Sequence, residues 1–298
     1  MGNIGGSAMA HLQARRSQNV AGDIYVDSSC IDCDTCRWMA PDIFSREDGQ
    51  SAVYHQPETA AERLVALQAV LACPTASIGI VAPPTDMKAA QASFPMPITA
   101  GVYHCGYHSE KSFGAASYLI QRDDGNILVD SPRFAAPLVK PLQALGGVRY
   151  LYLTHRDDVA DHQRFHDQFG CDRILHAADI SASTAAVEMP LNGTDPIQFA
   201  PDLQIIPVPG HTKGHTVLLY ENRVLFTGDH LAWSVRLHQL YAFRRHCWYS
   251  WSEQIQSMEK LTAYPFEWVL PGHGRRHHAD PTTMAQQLQK CLAWMKTQ

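Results

Sequence analysis

The feature that most constrains the fold is a set of three cysteines spaced two residues apart, in the string CIDCDTC, with a remote fourth cysteine directly before a proline. Two-residue gaps let one tight loop bring three thiolates to a compact iron–sulfur core, and a distant Cys-Pro supplies the fourth ligand. Structural zinc sites prefer two separate C-x-x-C pairs, and a disulfide would strain so tight a loop. The sequence therefore favours one [4Fe-4S] cluster over a zinc site. The predicted cluster ligands are Cys30, Cys33, Cys36 and Cys73.

Composition and charge exclude several classes of function. A net charge of −5 provides no basic surface for neutralising nucleic-acid phosphates. No run of residues approaches the ~18 apolar positions of a membrane helix. We therefore expect a cytoplasmic protein that binds neither nucleic acid nor a membrane and that acts on a small-molecule substrate. A redox partner protein is a further candidate, and the oligomeric state stays open.

A proline-rich run separates the cysteine-containing segment from the rest of the chain. Four of the sixteen residues from Ala82 to Pro97 are proline, which is typical of an extended, semi-rigid spacer. Before this run, apolar residues spaced three to four apart predict a helix from about Glu58 to Ala72. The predicted divisions are a disordered arm over 1–20, a cluster domain over 21–82, a linker over 83–98 and a second domain over 99–298.

The second domain is predicted to contain sheets flanked by helices, so the chain is placed in the α+β class. Its short hairpin-like join at Glu221–Asn222 favours antiparallel pairing. Histidines and aspartates follow predicted strands in four short strings: HRDDVADH, PGHTKGH, TGDH and PGHG. Imidazole nitrogens and carboxylate oxygens on such loops suit one or two transition metals, namely zinc, iron or manganese.

These four strings, in this order, resemble the metallo-β-lactamase superfamily over residues 99–298, and PGHTKGH with TGD is most similar to its glyoxalase II branch. The strings CIDCDTCRWMAPDIF and ACPTASI resemble single-cluster bacterial ferredoxins over residues 21–82. The resemblances imply a small ferredoxin-like domain followed by an αβ/βα sandwich with metals at one edge between its two sheets. They also imply that the first domain transfers single electrons.

The resemblance further implies a ligand set and two catalytic aspartates, of which Asp229 bridges the metals and Asp161 orients the nucleophile. The family pattern H-x-H-x-D-H is altered here, because Asp157 replaces the second histidine and two additional residues precede Asp161. Asp157 is favoured as the ligand over Asp158, and its oxygen shifts the metal preference towards iron. The implied metal ligands are His155, Asp157, Asp161, His162, His211, Asp229 and His273.

Three functions follow from these interpretations. The first is metal-dependent hydrolysis of a thioester, lactone or ester, in which metals generate a nucleophile from water at neutral pH. The second is an iron-dependent oxidoreductase, flavodiiron-like or persulfide dioxygenase-like, that receives electrons from the cluster. The third is a non-catalytic electron-transfer or sensor protein. Nothing in the sequence identifies the substrate.

Overall fold

The computed structural model describes residues 10–82 and 84–298, which divide into two compact units. The first unit contains the described residues up to Gln121 together with Pro132–Gly147. The second unit contains Arg122–Ser131 together with Val148–Gln298. Among the described residues, no helix is both long and apolar enough to cross a membrane.

The first unit contains four α-helices, two short 3₁₀ helices and seven strands among its described residues. The two-residue join Asp48–Gly49 closes a hairpin between β2 and β3, and β4 pairs antiparallel with β1. Strands β5, β6 and β7 form an antiparallel meander. The elements are β1 (Ile24–Val26), α1 (Thr35–Met39), β2 (Phe44–Glu47), β3 (Gln50–Val53), α2 (Ala60–Ala72), β4 (Ile78–Ile80), α3 (Met87–Ala92), β5 (Met96–Thr99), β6 (Val102–His104), β7 (Tyr118–Ile120) and α4 (Ala136–Ala144).

Helix α2 confirms the helix predicted before the proline-rich run, and its start is fixed by a capping box. The Thr59 hydroxyl accepts the backbone N–H of Glu62, while the Glu62 carboxylate accepts the N–H of Thr59. Such reciprocal bonds satisfy two of the free N–H groups at a helix start. Ala66 and Ala69 of this helix pack against the buried residues of β1 and β3, forming the core around the cysteine loop.

Two sequence predictions for the first unit differ from the structure. Part of the arm predicted to be disordered is ordered, because the Arg16 guanidinium is buried and donates hydrogen bonds to the carbonyl groups of Glu47 and Ser51. Residues 1–9 of that arm lie outside the described residues. The predicted linker contains α3 and all but the last residue of β5, although Pro83 is outside the described part. Pro97 is accommodated because β5 is an edge strand with a register irregularity at this point.

The second unit contains two larger sets of paired strands that differ in strand direction, and a two-stranded sheet formed by β16 and β17. Strands β8, β9, β10 and β11 pair in parallel, so the predicted antiparallel arrangement is wrong for this part. The other sheet has the order β12-β13-β14-β15-β18-β19, and only β15 and β18 are parallel. The strands are β8 (Ile127–Val129), β9 (Tyr150–Tyr152), β10 (Asp172–His176), β11 (Met189–Leu191), β12 (Ile197–Ala200), β13 (Leu203–Pro207), β14 (Thr216–Tyr220), β15 (Val224–Gly228), β16 (Ala232–Ser234), β17 (Gln239–Tyr241), β18 (Trp268–Pro271) and β19 (His277–His278).

The predicted hairpin at Glu221–Asn222 is confirmed, since both residues have left-handed backbone between β14 and β15. Both of these strands are buried along their whole length. Two helices cover one face through Met258, Leu261 and Leu288, which pack with Leu219 and Leu225 of the sheet. The helices of this unit are α5 (His162–Phe169), α6 (Trp251–Leu261) and α7 (Pro281–Met295).

The strand ends place the polar strings together. His155 lies three residues after β9, Asp229 directly follows β15, and His273 lies two residues after β18. Because β15 and β18 are parallel and Gly228 pairs with Pro271, Asp229 and His273 emerge at the same edge of the sheet. Asp229 and His273, which are far apart in the sequence, therefore lie close together at this edge of the sheet.

Candidate metal centres

The four predicted cluster cysteines line one cavity of the first unit and are all free thiols. Three come from the loop before α1 and its first turn, and Cys73 is the C-cap residue of α2. Asp32 and Asp34 alternate with the cysteines and have left-handed backbone (φ 60° and 68°), which aspartate tolerates better than most residues. The alternation lets a short loop turn three thiols towards one space.

The chemistry of this cavity fits an iron–sulfur cluster. Burial raises the pKa of the Cys33 thiol to about 11, and burial also raises the pKa of Cys36 and of Cys73. Clustered buried thiols therefore stay protonated unless a positively charged metal core stabilises their thiolates. The backbone N–H of Ser51 also points to Cys30 Sγ at 3.5 Å, as expected beside a thiolate ligand.

In the second unit, two imidazoles and one carboxylate surround a common position. His155 Nε2 lies 3.8 Å from Asp157 Oδ2, which in turn lies 3.4 Å from His211 Nε2. Two ligand atoms, each about 2.1 Å from a tetrahedral ion, stand about 3.4 Å apart. The three side chains therefore have the spacing of a metal site, and this group contains Asp157, which the sequence favours as a ligand over Asp158.

Asp229 and Asp158 extend the site. Asp229 Oδ2 lies 3.9 Å from His155 Nε2 and 3.7 Å from His211 Nε2. Asp158 forms a second group of potential ligands with His155 and Asp229, whose donor atoms all lie within 4.8 Å of one another. Gly272 makes room for this arrangement, since a Cβ there would lie 2.6 Å from Asp158 Oδ2.

The buried carboxyl groups and neutral imidazole of the site favour the binding of a cation. Burial raises the pKa of Asp158 well above its usual value, and neither of its carboxylate oxygens has a hydrogen-bond partner in the described part of the chain. Burial lowers the pKa of His155 to about 4, so the ring is neutral at pH 7. Burial alone would also raise the pKa of Asp229, but the adjacent His273 ring, at 2.8 Å, keeps it well below its usual value. A neutral imidazole beside carboxylates is the form that binds metals.

Three residues of the implied ligand set, Asp161, His162 and His273, do not join these groups. Asp161 is the N-cap residue of α5, and neither it nor His162 belongs to a group of three close potential ligands among the residues described. The His162 ring instead faces the buried Arg173 guanidinium, with Nδ1 3.2 Å from Nη1. The two extra residues before Asp161 explain this difference, because they shift the Asp-His pair onto the helix and leave Asp158 beside Asp229.

His273 contacts the site through Asp229. Its Nδ1 lies 2.8 and 2.9 Å from the two Asp229 carboxylate oxygens, and its backbone N–H donates to Oδ1. His215, expected to support a ligand, accepts the backbone N–H of Asp229 at Nε2 (3.2 Å) and stacks on the His155 ring. Both residues therefore hold Asp229 in position.

Sequence reasoning missed two supporting carboxylates. Asp179 accepts the N–H of Arg156, the Thr212 hydroxyl and the N–H of Gly214, so it links the two loops that carry His155 and His211. Asp130 accepts the backbone N–H and the hydroxyl of Thr154, and that hydroxyl lies 2.9 Å from His155 Nδ1.

Burial raises the pKa of Asp130 to about 7. The only sequence signal for Asp130 is its place directly after a buried strand, and Asp179 carries none. Such partners fix the ring orientation of a metal-binding histidine.

The donor set fits a divalent transition metal. Two imidazole nitrogens and three carboxylates lie at the edge of the sheet, with Gly272 leaving the space between Asp158 and Asp229 open. Nitrogen and oxygen donors of this kind suit zinc, iron or manganese. The higher proportion of oxygen donors increases the suitability for iron and manganese relative to a three-histidine site.

Comparisons with known proteins bear on the iron–sulfur domain and on the fold. Residues 26–80 match the family described as the 4Fe-4S single cluster domain of Ferredoxin I. The match includes Cys30, Cys33, Cys36 and Cys73, so the chain carries a ferredoxin-type iron–sulfur domain. This agreement confirms the ferredoxin resemblance and favours the cluster over the zinc alternative.

Solved structures of metallo-β-lactamases are similar to this chain in fold. A metallo-β-lactamase from Hirschia baltica matches with a TM-score of 0.52 at 18% identity, covering 67% of this chain and 95% of that chain. The metallo-β-lactamase DIM-1 matches with a TM-score of 0.52 at 14% identity, with the same coverage. An enzyme of this class from Pontibacter korlensis matches with 0.51 at 15% identity, covering 68% and 98%. The chain therefore has the metallo-β-lactamase fold, and the predicted fold class is confirmed.

Proposed function

We propose that the second unit is a metal-dependent hydrolase of thioester, lactone or ester substrates. The observation that carries the proposal is the pair of ligand groups that share His155, with Asp229 Oδ2 within 4 Å of the Nε2 atoms of both His155 and His211. A metal held there would polarise an acyl carbonyl and lower the pKa of bound water to about 7. This chemistry agrees with the names of the structurally similar proteins, which are metallo-β-lactamases.

The protein's own residues divide the remaining work. Asp229 is held by its ion pair with His273 and by the hydrogen bond from its N–H to His215. Asp158 is buried with both oxygens unpartnered among the described side chains. A metal bound beside it would favour the ionised carboxylate, and the oxygen that does not bind the metal would then be placed to accept a proton from the attacking water. In this proposal Asp158 takes the orienting role that the sequence analysis gave to Asp161.

An exposed aromatic side chain borders the site and supports a small-molecule substrate with an apolar acyl group. Trp248 is 57% exposed, and its ring centroid lies 6.3 Å from that of His211. Its backbone N–H donates to the His211 carbonyl group, which fixes the loop to the metal ligand. Exposed aromatic surface beside a polar centre is typical of a ligand-binding wall.

The test is anaerobic purification of the full chain, metal and sulfide analysis, and assays against thioester, lactone and ester panels. We expect hydrolysis that requires metal in addition to the cluster iron and that falls by at least about 100-fold in Asp229→Ala. Asp123→Ala is the matched control, because Asp123 is exposed. Undiminished turnover in a folded, metal-loaded Asp229→Ala protein would remove Asp229 from the mechanism.

A second function, an iron-dependent oxidoreductase, is favoured by the donor set. His155, Asp157 and His211 form a two-histidine, one-carboxylate group, which is typical of non-haem iron enzymes. The attached iron–sulfur domain would supply electrons. Iron in excess of the cluster's content, together with oxygen or persulfide consumption and no hydrolysis, would select this function; two zinc ions with hydrolysis would reject it.

A further inference from the structure

Within the first unit, a series of buried polar side chains leads away from the cluster cavity. Cys33 Sγ lies 3.4 Å from the Thr35 hydroxyl oxygen, which lies 3.1 Å from His108 Nδ1. His108 Nε2 lies 2.9 Å from His104 Nε2. Thr35, His108 and His104 are all essentially inaccessible to solvent. Four groups, starting at a cluster ligand, are thus connected in sequence.

The direction of donation along this chain follows from one carbonyl group. His108 Nδ1 lies 2.7 Å from the carbonyl oxygen of Gly114, which can only accept, so Nδ1 carries the hydrogen. Thr35 Oγ1 can accept from the same N–H, and its own hydrogen can then point to Cys33 Sγ. A thiolate is a stronger acceptor than the neutral Gly114 carbonyl group, which lies 3.4 Å from Thr35 Oγ1. In neutral rings His108 Nε2 is then the acceptor, so His104 donates to it.

We propose that His104, His108 and Thr35 form a relay of hydrogen-bond donors that ends on the Cys33 sulfur and raises the reduction potential of the [4Fe-4S] cluster. Each donor polarises the next, which strengthens the last bond of the chain. Reduction adds one electron and no bond forms or breaks, so the additional negative charge is shared by the cluster and its sulfur ligands. Hydrogen bonds to those sulfurs stabilise the reduced state and raise the potential.

The surroundings keep the relay in place. The Trp38 ring packs against both histidines, with centroids 5.1 Å from His104 and 5.9 Å from His108. Gly114 has φ +87°, and a Cβ there would lie 2.9 Å from the Cys33 Cβ. A glycine is therefore needed to bring the carbonyl group that orients His108 so close to the cluster ligand. All residues of the relay belong to the first unit, so the relay holds whichever reaction the second unit performs.

The test is an EPR-monitored titration of the full-length protein with dithionite, which gives the cluster midpoint potential. Thr35→Val keeps the shape and removes the hydroxyl, so we expect a more negative potential. Thr35→Ser keeps the hydroxyl and is expected to restore the wild-type value. Pulsed EPR should also show an exchangeable proton at the reduced cluster that is lost in Thr35→Val. Equal potentials in Thr35→Val, Thr35→Ser and wild type would overturn the proposal.

A double-mutant cycle separates the relay from general disturbance of the cluster. His108→Phe should lower the potential, and combining it with Thr35→Val should add little, because both substitutions interrupt the same chain. Ser51→Ala is the matched control, since the Ser51 hydroxyl contacts Cys36 Sγ at 3.2 Å. Its effect should add to that of His108→Phe.

Additive effects of Thr35→Val and His108→Phe would overturn the relay. If Thr35→Val does not assemble a cluster, the midpoint potentials of His108→Phe and His104→Phe test the relay instead. Unchanged potentials in both variants would overturn the proposal.

Discussion

The Asp157 carboxylate lies 3.4 Å from His211 Nε2, so an oxygen donor stands where the sequence pattern of the resembling family has a second histidine. The contact with His211 lowers the pKa of Asp157, which is therefore ionised at neutral pH even without a metal. Its side chain is 42% exposed, whereas Asp158 is buried. Burial raises the pKa of Asp158, so the pKa values of the two neighbouring aspartates are shifted in opposite directions before any ion binds.

Substitution of Asp157 should weaken metal binding in the second unit. Asp157→Asn removes the negative charge and one of the three close ligand atoms, so we expect the affinity for zinc or Fe²⁺ to fall by at least about 10–100-fold, the loss typical of perturbing even a supporting group. The measurement is competition with a chromophoric chelator, using protein in which the iron–sulfur cluster is retained and quantified separately.

The control for this prediction is Asp161→Asn. Asp161 matches the aspartate of the family pattern H-x-H-x-D-H, but it is the N-cap residue of α5 and lies outside both ligand groups. Its substitution should leave metal affinity within about two-fold of wild type, a change below 0.5 kcal/mol. A larger loss in Asp161→Asn than in Asp157→Asn would contradict the grouping described above.

The sequence predicted the elements of the site better than their geometry. Its four cysteines gather in one cavity, and His155, His211 and Asp229 meet at one sheet edge, because strand ends and cysteine spacing are local properties. The parallel pairing of β8 to β11 was not predictable from the hairpin signal, since parallel partners come from distant segments.

The position of Asp161 and His162 could not be predicted either. The motif Asp-His is present in the string, but two additional residues precede it. They place Asp161 at the N-cap and His162 at the first position of α5. Which carboxylate then faces Asp229 depends on loop backbone and on the absence of a side chain at Gly272. Asp179 was missed because its role depends on contacts with two loops, neither of which is its neighbour in the sequence.

Asp158 should destabilise the protein when metal is removed. Its folded-state pKa is raised by burial above the unfolded value of about 3.9, so its stabilising contribution is present below that pH and is lost as the pH rises through the folded pKa. We expect metal-depleted Asp158→Asn to be more stable than metal-depleted wild type at pH 8, by roughly 1–3 kcal/mol.

The advantage of Asp158→Asn should shrink towards pH 4 and reverse when metal is added. Thermal unfolding at several pH values, with and without metal, measures it. An advantage independent of both pH and metal would rule out an unpartnered carboxylate at this position.

Asp179 should control metal affinity without binding metal. Asp179→Asn replaces one of the two acceptor oxygens by an NH₂ group, which cannot accept a hydrogen bond. Either the Arg156 N–H or the Gly214 N–H then loses its acceptor. The loops carrying His155 and His211 then lose their common anchor, and we expect metal affinity to fall about 10–100-fold. Asp123→Asn provides the exposed control. Unchanged affinity in a folded Asp179→Asn protein would show that the two loops hold their ligands independently.

The ion pair between Arg173 and Glu188 should stabilise the second unit in a pH-dependent way. Hydrogen bonds from the buried Arg173 lower the pKa of Glu188 to about 2, compared with about 4.3 when unfolded. A lowered folded-state pKa contributes stability above the unfolded pKa, and this contribution is lost as the pH falls towards 2. Because the Glu188 side chain is 27% exposed, solvent screening limits the effect.

We therefore expect Glu188→Gln to lose about 1–2 kcal/mol of unfolding free energy at pH 7, since Arg173 remains buried without its carboxylate partner. The difference from wild type should shrink between pH 6 and pH 4, because protonation of the unfolded state begins to remove the wild-type advantage. Urea denaturation at pH 7, 5 and 4 measures it. Glu221→Gln, at an exposed pair with Arg223, should change stability by less than about 0.5 kcal/mol. A constant difference across this pH range would mean that the Arg173 contact does not lower the pKa of Glu188.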